Sequence, residues 1–237
     1  MADDIDALPK GAGMVGQVVA GLTLVPALCV GLWALGDTAN SNSGAPQPAT
    51  CAEGKTGKAS EEPGQVPGRV SGTQLCKALN RPDLADLLGT PTETLKSASG
   101  SDGSFKLGSG KEIATPSSRV EFGTYTVTLS ASYDRLPVAG SAAYLGRDAQ
   151  ERTVLGRPAV LSSDYTLSIS FRLDGSDAHS GPGVPARSLT VARDAKDSGG
   201  SLTVTVWREG GGVPDDAVLL RVAEKVLPTV PGWNAAG

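Results

Sequence analysis

Residues 124–133 read TYTVTLSASY, in which apolar side chains alternate with small hydroxyl side chains. Successive side chains of a β-strand point to opposite faces, so this alternation predicts a half-buried strand of an antiparallel sheet with one wet face. We predict that Val127 and Leu129 lie in the core, whereas Thr126 and Thr128 face solvent or a covering loop.

Further strands are predicted on the C-terminal side of this stretch. Residues 154–161 and the alternating run 165–173, on either side of residues 162–164, predict two strands joined by a tight turn. In the second of them we expect Ile169 and Phe171 to be buried. Their neighbours Ser168 and Ser170 are expected to face solvent or a covering loop. Two more strands are predicted from five apolar residues: Leu189, Val191, Leu202, Val204 and Val206.

Two short helices and a hairpin are predicted between residue 71 and residue 113. Ser71 and Gln74 have the spacing of a capping box, which indicates a helix start. A second short helix is predicted to begin near Pro82 and to end at Gly89, which would be its C-cap. Residues 105–107 and 111–113 flank a Gly-Ser-Gly turn and predict the hairpin.

A third helix is predicted near the C-terminus. Pro214 suits its first turn, while Asp215 and Asp216 complement the positive end of the helix dipole. Pro228 ends it. Its buried stripe is predicted to contain Val218, Leu219, Val222 and Val226. Strands in the middle with helices at both ends predict an α+β domain, one antiparallel sheet covered by helices.

Residues 11–36, GAGMVGQVVAGLTLVPALCVGLWALG, form an apolar run long enough to cross about 30 Å of hydrocarbon. The alternative is a cleaved signal peptide, because Ala34-Leu35-Gly36 has the small-x-small form of a cleavage site. We favour a retained membrane-spanning helix, since the run exceeds the usual apolar region of a signal and follows three Asp with one Lys. Lys10 before the run, against Lys55 as the first basic residue after it, predicts an inside N-terminus.

This interpretation divides the chain into five parts and predicts a single-pass protein of the cell membrane, with its C-terminal domain outside. The parts are a cytoplasmic N-terminus (1–10), the transmembrane helix (11–36), a flexible linker (37–65), an extracytoplasmic α+β domain (66–233) and a tail (234–237). The linker is rich in Ser, Gly, Pro and charged residues and has little to bury.

One stripe of the predicted transmembrane helix is made of small residues. Such a stripe lets another helix approach closely, so a protein partner or a homo-oligomer is expected. The alternative is the general richness of membrane helices in Gly and Ala. The stripe contains Gly16, Ala20, Thr23, Ala27, Gly31 and Ala34.

Six segments of the domain carry a family resemblance: QLCKALNRPDL (74–84), LGTP (88–91), LSASYD (129–134), SFRLDG (170–175), VARDAK (191–196) and LRVAEKVLP (220–228). They resemble a family of Streptomyces single-pass membrane proteins of unknown function, and the likeness covers about residues 66–233. The resemblance implies an exported, anchored domain and supplies no functional residues. A looser likeness is to small actinomycete lipoproteins of α+β fold, from which this chain departs by lacking a lipobox.

Cys51 and Cys76 both lie in the part predicted to be outside, where an oxidising environment favours a disulfide between them. Two unpaired thiols are the alternative. The formal net charge of −4 and the lack of a Lys/Arg cluster argue against nucleic acid as a partner.

The sequence contains no motif for catalysis, a cofactor or a metal site. His179 is the only histidine and lies in a Gly/Pro/Asp-rich loop. The sequence also lacks the Gly-x-Ser-x-Gly motif that would carry a nucleophilic serine for it to activate. Asp174 and Asp177 in that loop are explained by turn chemistry better than by calcium binding. Trp207 and Trp233 are expected to fill the core and to dock the tail, with an exposed binding pair as the alternative.

The sequence therefore predicts a membrane-anchored extracytoplasmic domain that is a binding or assembly module and not an enzyme. Two alternatives stay open. One is a cell-envelope hydrolase that uses a serine without histidine, and the other is a structural partner of another membrane protein that acts through the transmembrane helix.

Overall fold

The computed structural model describes residues 50–53, 69–106, 110, 112–145, 148–170 and 179–233. The predicted transmembrane helix with its small-residue stripe, most of the predicted linker and the tail lie outside the described residues. Phe171, Asp174 and Asp177 lie outside them too. None of the helices in the described ranges has the length and apolar character needed to cross a membrane.

The described residues form ten strands, and eight of these make up the sheet at the centre of the domain. The strands in chain order are β1 (Ala52–Glu53), β2 (Ser97–Ser101), β3 (Ser104–Lys106), β4 (Glu112–Ala114), β5 (Ser117–Glu121), β6 (Tyr125–Ser132), β7 (Gln150–Val154), β8 (Arg157–Ser170), β9 (His179–Ala192) and β10 (Ser201–Arg208). Their order across the sheet is β1-β2-β5-β6-β10-β9-β8-β7. Seven of the eight pair antiparallel, and the two-residue β1 joins β2 in parallel. β3 and β4 form a separate hairpin, as predicted.

Three helices accompany the sheet, and their ends are capped largely as the sequence predicts. They are α1 (Gly72–Leu79), α2 (Leu84–Leu88) and α3 (Asp216–Val226). The Ser71 hydroxyl accepts from Gln74 N at 3.2 Å, and Gln74 Oε1 accepts from Ser71 N at 2.8 Å, which completes the capping box. Gly89 ends α2 with a φ of 80°. Asp215 caps α3, so Pro214 lies just before the cap and not in the first turn.

The core lies between the helices and one face of the sheet, which confirms the α+β class. Val127 and Leu129 of β6 are fully buried there, together with the predicted stripe of α3. α1 sits directly on the backbone of β2. A Cβ on Gly72 would come within 2.3 Å of Ser101 N, and one on Gly100 within 2.2 Å of Gly72 O. No other residue fits at these two positions without moving α1 away from the sheet.

A disulfide joins Cys51 to Cys76, the pair expected from the sequence, with a Cα–Cα distance of 5.8 Å. Cys51 precedes β1, and Cys76 is buried in α1. Residues 50–53 fall within the stretch interpreted as linker, yet β1 belongs to the sheet. The sequence missed this strand because a two-residue strand has too few residues to show an alternation.

One sequence expectation about a turn needs correction. Thr126 takes the covered alternative: it is 0% exposed, and its hydroxyl donates to Glu209 Oε1, in the turn after β10, at 2.5 Å. The tight turn is at Leu155 and Gly156, which have φ angles of 52° and 75°. Residues 162–164 therefore lie inside the continuous 14-residue β8.

The alternating run after residue 164 forms a strand, but its apolar side is not buried. Tyr165 is 61% exposed and Leu167 is 72% exposed. The reason is strand length: β7 pairs with β8 only as far as Leu161, and β10 pairs with β9 only from Ala186 onward. Among the described residues, β8 and β9 pair only with each other beyond these points. The expected burial of Ile169 and Phe171 lies outside the described side chains.

We expect Leu129→Ala to lower the free energy of unfolding by about 2–5 kcal/mol, because a fully buried leucine leaves a cavity. Ser130→Ala, one residue on and on the other face, should change it by less than about 0.5 kcal/mol. The measurement is the urea midpoint of the full chain in detergent, followed by tryptophan fluorescence. Equal shifts for the two variants would contradict the register of β6.

Removing the disulfide should also destabilise the domain. The two cysteines are 25 residues apart, and loop-closure entropy for such a loop gives about 3.5 kcal/mol. The variant is Cys51→Ala with Cys76→Ala, measured by the same urea midpoint. Wild type in reductant serves as the control and should match the variant. An unchanged midpoint would show that the crosslink does not hold β1 and α1 together.

Candidate functional site

The sheet face opposite the helices carries rows of hydroxyl side chains from three adjacent strands. We call this surface the hydroxyl face and define it by six residues: Thr128, Ser130, Ser188, Thr190, Thr203 and Thr205. In the register of the sheet, Thr205 lies between Thr128 and Ser188, and Thr203 lies between Ser130 and Thr190. All but the buried Ser188 are half-buried.

Hydroxyls on neighbouring strands of this face contact each other. Ser188 Oγ lies 2.9 Å from Thr205 Oγ1, and Thr190 Oγ1 lies 3.1 Å from Thr203 Oγ1. Each hydroxyl has one donor and two acceptor positions, so a paired hydroxyl keeps further hydrogen-bonding capacity. Rows are spaced by about 4.8 Å across strands and about 6.7 Å along them. The result is an array of small groups that both donate and accept hydrogen bonds.

The loop after β6 covers the side of this face that lies over β8 and β9. Val138 of this loop packs on Val160 and Ala192. The loop is fixed by Asp197, whose two carboxylate oxygens accept from Val138 N at 2.9 Å and from Ala139 N at 2.7 Å. The central rows, on β6 and β10, are left half-buried beside this covered part.

Charge is confined to the border of the hydroxyl face. The Arg119 guanidinium lies 5.0 Å from the centroid of the Trp207 ring, and its Nε lies 2.5 Å from Glu121 Oε1. Arg119 and Glu121 neutralise each other, and the six defining side chains are uncharged. A surface of this kind suits hydrogen bonding to a neutral partner.

A buried arginine, Arg187, joins α3 to the neighbouring strands. Its Nε and Nη2 donate to the two carboxylate oxygens of Asp216 at 2.6 and 3.0 Å, and its Nη1 donates to Asp148 at 3.1 Å and to the Ser163 hydroxyl. Hydrogen bonding by Ser163, with a smaller contribution from Arg187, holds the pKa of Asp148 below its ordinary value. The sequence analysis missed Arg187. The sequence pattern could have indicated it, because Arg187 lies two residues before Leu189 and therefore shares the core side of β9 with it.

A second buried arginine holds the C-terminal segment. Arg157 donates to the backbone oxygens of Arg193 and Trp233, and its guanidinium lies 3.5 Å from the centroid of the Trp233 ring. Burial lowers the pKa of Arg157 from its ordinary value. Arg193 in turn lies over the Tyr133 ring at 4.5 Å. These contacts hold Trp233 in place, so we interpret the cluster around Arg157 as structural.

The residues considered for chemistry do not converge in the structure. Asp215 accepts from Ala217 N at 2.8 Å as the cap of α3, and Asp216 is paired with Arg187, so neither is placed as a free acid or base. Trp207 and Trp233 are both buried. Trp233 belongs to the core cluster, as expected, whereas Trp207 lies on the face opposite the helices and packs against Arg119. His179 begins β9, and its side chain lies outside the described part. Within the described ranges, no three His, Cys, Asp or Glu side chains are grouped as a metal would need.

The described surface also contains shallow grooves, of which the one beside α1 is representative. Its volume is about 320 Å³, and it is lined by Gln74, Lys77, Ala78, Asn80, Arg81, Pro82, Thr229 and Pro231. Arg81 in this groove is held by both carboxylate oxygens of Asp83, at 2.8 and 2.7 Å. The groove has a mixed polar lining without a nucleophile next to a base, so the hydroxyl face is the better candidate.

Comparison with known proteins gives a family but no activity. No curated protein matches the chain, and no solved structure matches it. A family of unknown function, DUF6215, matches residues 9–148. This range is more than half of the chain and extends from the predicted transmembrane run to the loop that follows β6. The chain therefore belongs to DUF6215, a family of unknown function.

Proposed function

We propose that this protein is a membrane-anchored extracytoplasmic binding module of an actinomycete cell envelope, and that the hydroxyl face is its binding surface. The partner class that fits this surface best is a neutral, hydroxyl-rich polymer, a glycan. The observation that carries the proposal is the array of uncharged hydroxyls on three adjacent strands.

The location outside the membrane is supported by the disulfide. Cys51 and Cys76 form a disulfide, and disulfides persist in oxidising compartments. The family match begins at residue 9, so the apolar run 11–36 is part of what the family shares. A run removed as a signal would be shorter and would follow a more basic segment.

The glycan partner is supported by the chemistry of the hydroxyl face. Sugar hydroxyls donate and accept hydrogen bonds, as the paired hydroxyls of Ser188 with Thr205 and of Thr190 with Thr203 can. A nucleic acid would need a basic surface, and the six defining residues carry no charge. Each hydrogen bond contributes only about 0.5–1.5 kcal/mol, so several in one plane are needed for useful affinity.

Binding is favoured over catalysis because the two hydroxyl pairs of this face contact each other and not a base. A nucleophilic serine needs a neighbouring group that takes its proton. A serine-reactive probe tests the hydrolase alternative directly, since covalent labelling of Ser130 or Ser188 would contradict the binding proposal.

The orientation is tested by protease added to intact, wall-stripped cells. We expect protease to degrade the domain on intact cells, because the anchor holds residues 66–233 outside. In untreated cells we expect the full chain to remain with the membrane fraction. Degradation only after lysis would reverse the orientation. Recovery of the domain from the medium with Asp37 at its N-terminus would replace the anchor with a cleaved signal.

The binding surface is tested by co-sedimentation of the detergent-solubilised full chain with purified insoluble cell-wall glycan. Thr128→Arg with Thr203→Arg places two long charged side chains on the array, and we expect about tenfold weaker binding. The matched control is Thr92→Arg with Thr94→Arg, on the exposed loop between α2 and β2, which should bind as wild type.

A milder variant separates lost contacts from disturbed folding. Thr128→Val keeps the shape of the side chain and removes its hydroxyl, so it should weaken binding while leaving the urea midpoint near that of wild type. Wild-type protein that does not sediment with the glycan, or equal loss in both arginine pairs, would overturn the hydroxyl face as the glycan surface.

A further inference from the structure

The paired ends of β8 and β9 continue beyond the other strands as a two-stranded ribbon. We define the ribbon by residues 164–170 and 179–185, which pair with each other beyond the last partners that the described residues of β7 and β10 supply. Six residues beyond Asp164 give it a length of about 20 Å, and two strands make it about 10 Å wide. A two-stranded hairpin is at best marginally stable in water by itself, so contact with a partner would stabilise the ribbon.

One face of the ribbon is apolar and has no cover among the described residues. Tyr165 is 61% exposed and Leu167 is 72% exposed, and the register places them opposite Pro185 and Pro182. Alternation puts Tyr165 and Leu167 on the side of β8 that carries the core residue Leu161, which is the side that the helices cover elsewhere. We call the surface formed by these two side chains and the two prolines the apolar strip.

The helix layer stops where the ribbon begins. α3 starts at Asp216, and the Arg187 guanidinium binds this residue in the row next to the ribbon. The same guanidinium donates to the hydroxyl of Ser163, which lies opposite Arg187, and to Asp148 at 3.1 Å. The apolar strip is accordingly uncovered beside a fixed base.

The first backbone donors on the β8 edge of the ribbon are already occupied. Ser163 N donates to Asp148 Oδ2 at 3.1 Å, and Tyr165 N donates to Asp164 Oδ1 at 2.7 Å. Addition of a strand needs free backbone groups, so these carboxylates block two donors that an incoming strand would use.

The β9 edge of the ribbon is closed in another way. Pro182 and Pro185 have no N–H group, and Val184 N donates to Thr166 Oγ1 at 2.9 Å. A partner of the ribbon would therefore bind through side chains on the apolar strip and not through strand pairing.

The base of the apolar strip is surrounded by carboxylates. Asp148 and Asp216 share the single guanidinium of Arg187, and their side chains are 49% and 43% exposed. Asp164 and Asp215, each next in sequence to a residue of this cluster, are exposed as well. One arginine thus faces four carboxylates at the point where the ribbon leaves the sheet.

The wider sequence around this cluster is also acidic. The three segments that contribute to it, residues 147–148, 163–187 and 208–216, contain seven Asp or Glu and four Arg. They therefore carry a surplus of three negative charges, which is most of the net charge of −4 of the whole chain. Such a surface attracts a partner of positive charge and repels one of negative charge.

A second copy of the chain is a poor occupant of the apolar strip. Its ribbon would bring the same surplus of negative charge against the first, and like charges across an interface are unfavourable. From its length and width the strip covers only about 200 Å², whereas a stable dimer buries about 800 Å² on each partner. Opposite charge and a small contact area fit a short basic segment of another protein.

We propose that the apolar strip, with Tyr165 and Leu167, is the docking site for a short basic and apolar segment of a partner protein. Apolar side chains of this segment contact the strip, while its lysines or arginines lie against Asp164, Asp215 and the exposed carboxylates of the Arg187 cluster. The ribbon would be a second interaction surface, on the side of the sheet opposite the hydroxyl face. The proposal is independent of the glycan partner and of the membrane anchor.

The test measures binding of fluorescein-labelled peptides to the full chain in nonionic detergent by fluorescence anisotropy. The probe is a peptide of about seven residues in which lysine and leucine alternate, which matches the length of the ribbon. We expect saturable binding that weakens with salt, and about tenfold weaker binding by the variant Tyr165→Ser with Leu167→Ser. The matched control is Leu136→Ser with Tyr144→Ser, a leucine and a tyrosine that are 65% and 90% exposed on the loop after β6. It should bind the peptide as wild type does.

A charge variant tests the basic part of the proposal. Asp164→Asn with Asp215→Asn removes two negative charges, and asparagine at position 215 still caps α3, so the chain stays folded. We expect about threefold weaker binding of the lysine and leucine peptide at low salt. The matched control, Asp86→Asn with Glu224→Gln at exposed positions of α2 and α3, should leave the affinity unchanged.

Equal affinity of wild type and the variant Tyr165→Ser with Leu167→Ser would overturn the docking site. Equal binding of a peptide with glutamate in place of lysine, or of one with serine in place of leucine, would overturn it too, because the site needs both charge and apolar contact. Concentration-dependent association of the chain that is lost in this variant alone would assign the strip to a second copy and also overturn the proposal. Unchanged tryptophan fluorescence in all four variants shows that they are folded.

Discussion

Packing of helices over a single face of the sheet, with α1 and α3 on the strands and α2 on α3, is the constraint on which the rest of this structure depends. Val127 and Leu129 of β6 bury on that face with Leu219 and Val222 of α3, and burial of apolar area is the main favourable contribution to folding. The contact is close enough that α1 rests on the β2 backbone at Gly72 and Gly100. The disulfide then fixes α1 to the strand that begins the domain.

Because the helices cover only one face of the sheet, the residue types on the opposite face are less constrained. In a strand whose side chains alternate, a position that does not face the helices needs no apolar group, and β6, β9 and β10 place Thr and Ser there in matching rows. A shift of one residue would exchange the two sets, so the core and the candidate binding surface are specified by the same register. Stability and the proposed binding therefore depend on common positions, while the individual hydroxyls can be changed without opening the core.

Unequal strand length accounts for the second distinctive feature. β8 and β9 each have 14 residues, whereas their outer neighbours β7 and β10 have 5 and 8. The unmatched length of β8 and β9 continues as a two-stranded ribbon beyond the other strands, and Arg187 lies where this ribbon begins. A charged side chain is tolerated there because Asp216 supplies two hydrogen bonds and Asp148 a third, which offset the cost of burying a guanidinium.

The sequence by itself determined the local features: the β6 alternation, the capping box at Ser71, the α3 stripe and the cysteine pair. Only the tertiary structure decided which faces are covered. Thr126 is buried because Glu209, 83 residues away, accepts its hydroxyl, and Arg187 is satisfied by carboxylates 29 and 39 residues away. Tyr165 and Leu167 follow the pattern of core residues yet lie exposed. Alternation is a local property that assigns side chains to one face, whereas burial of that face depends on the lengths and positions of neighbouring elements.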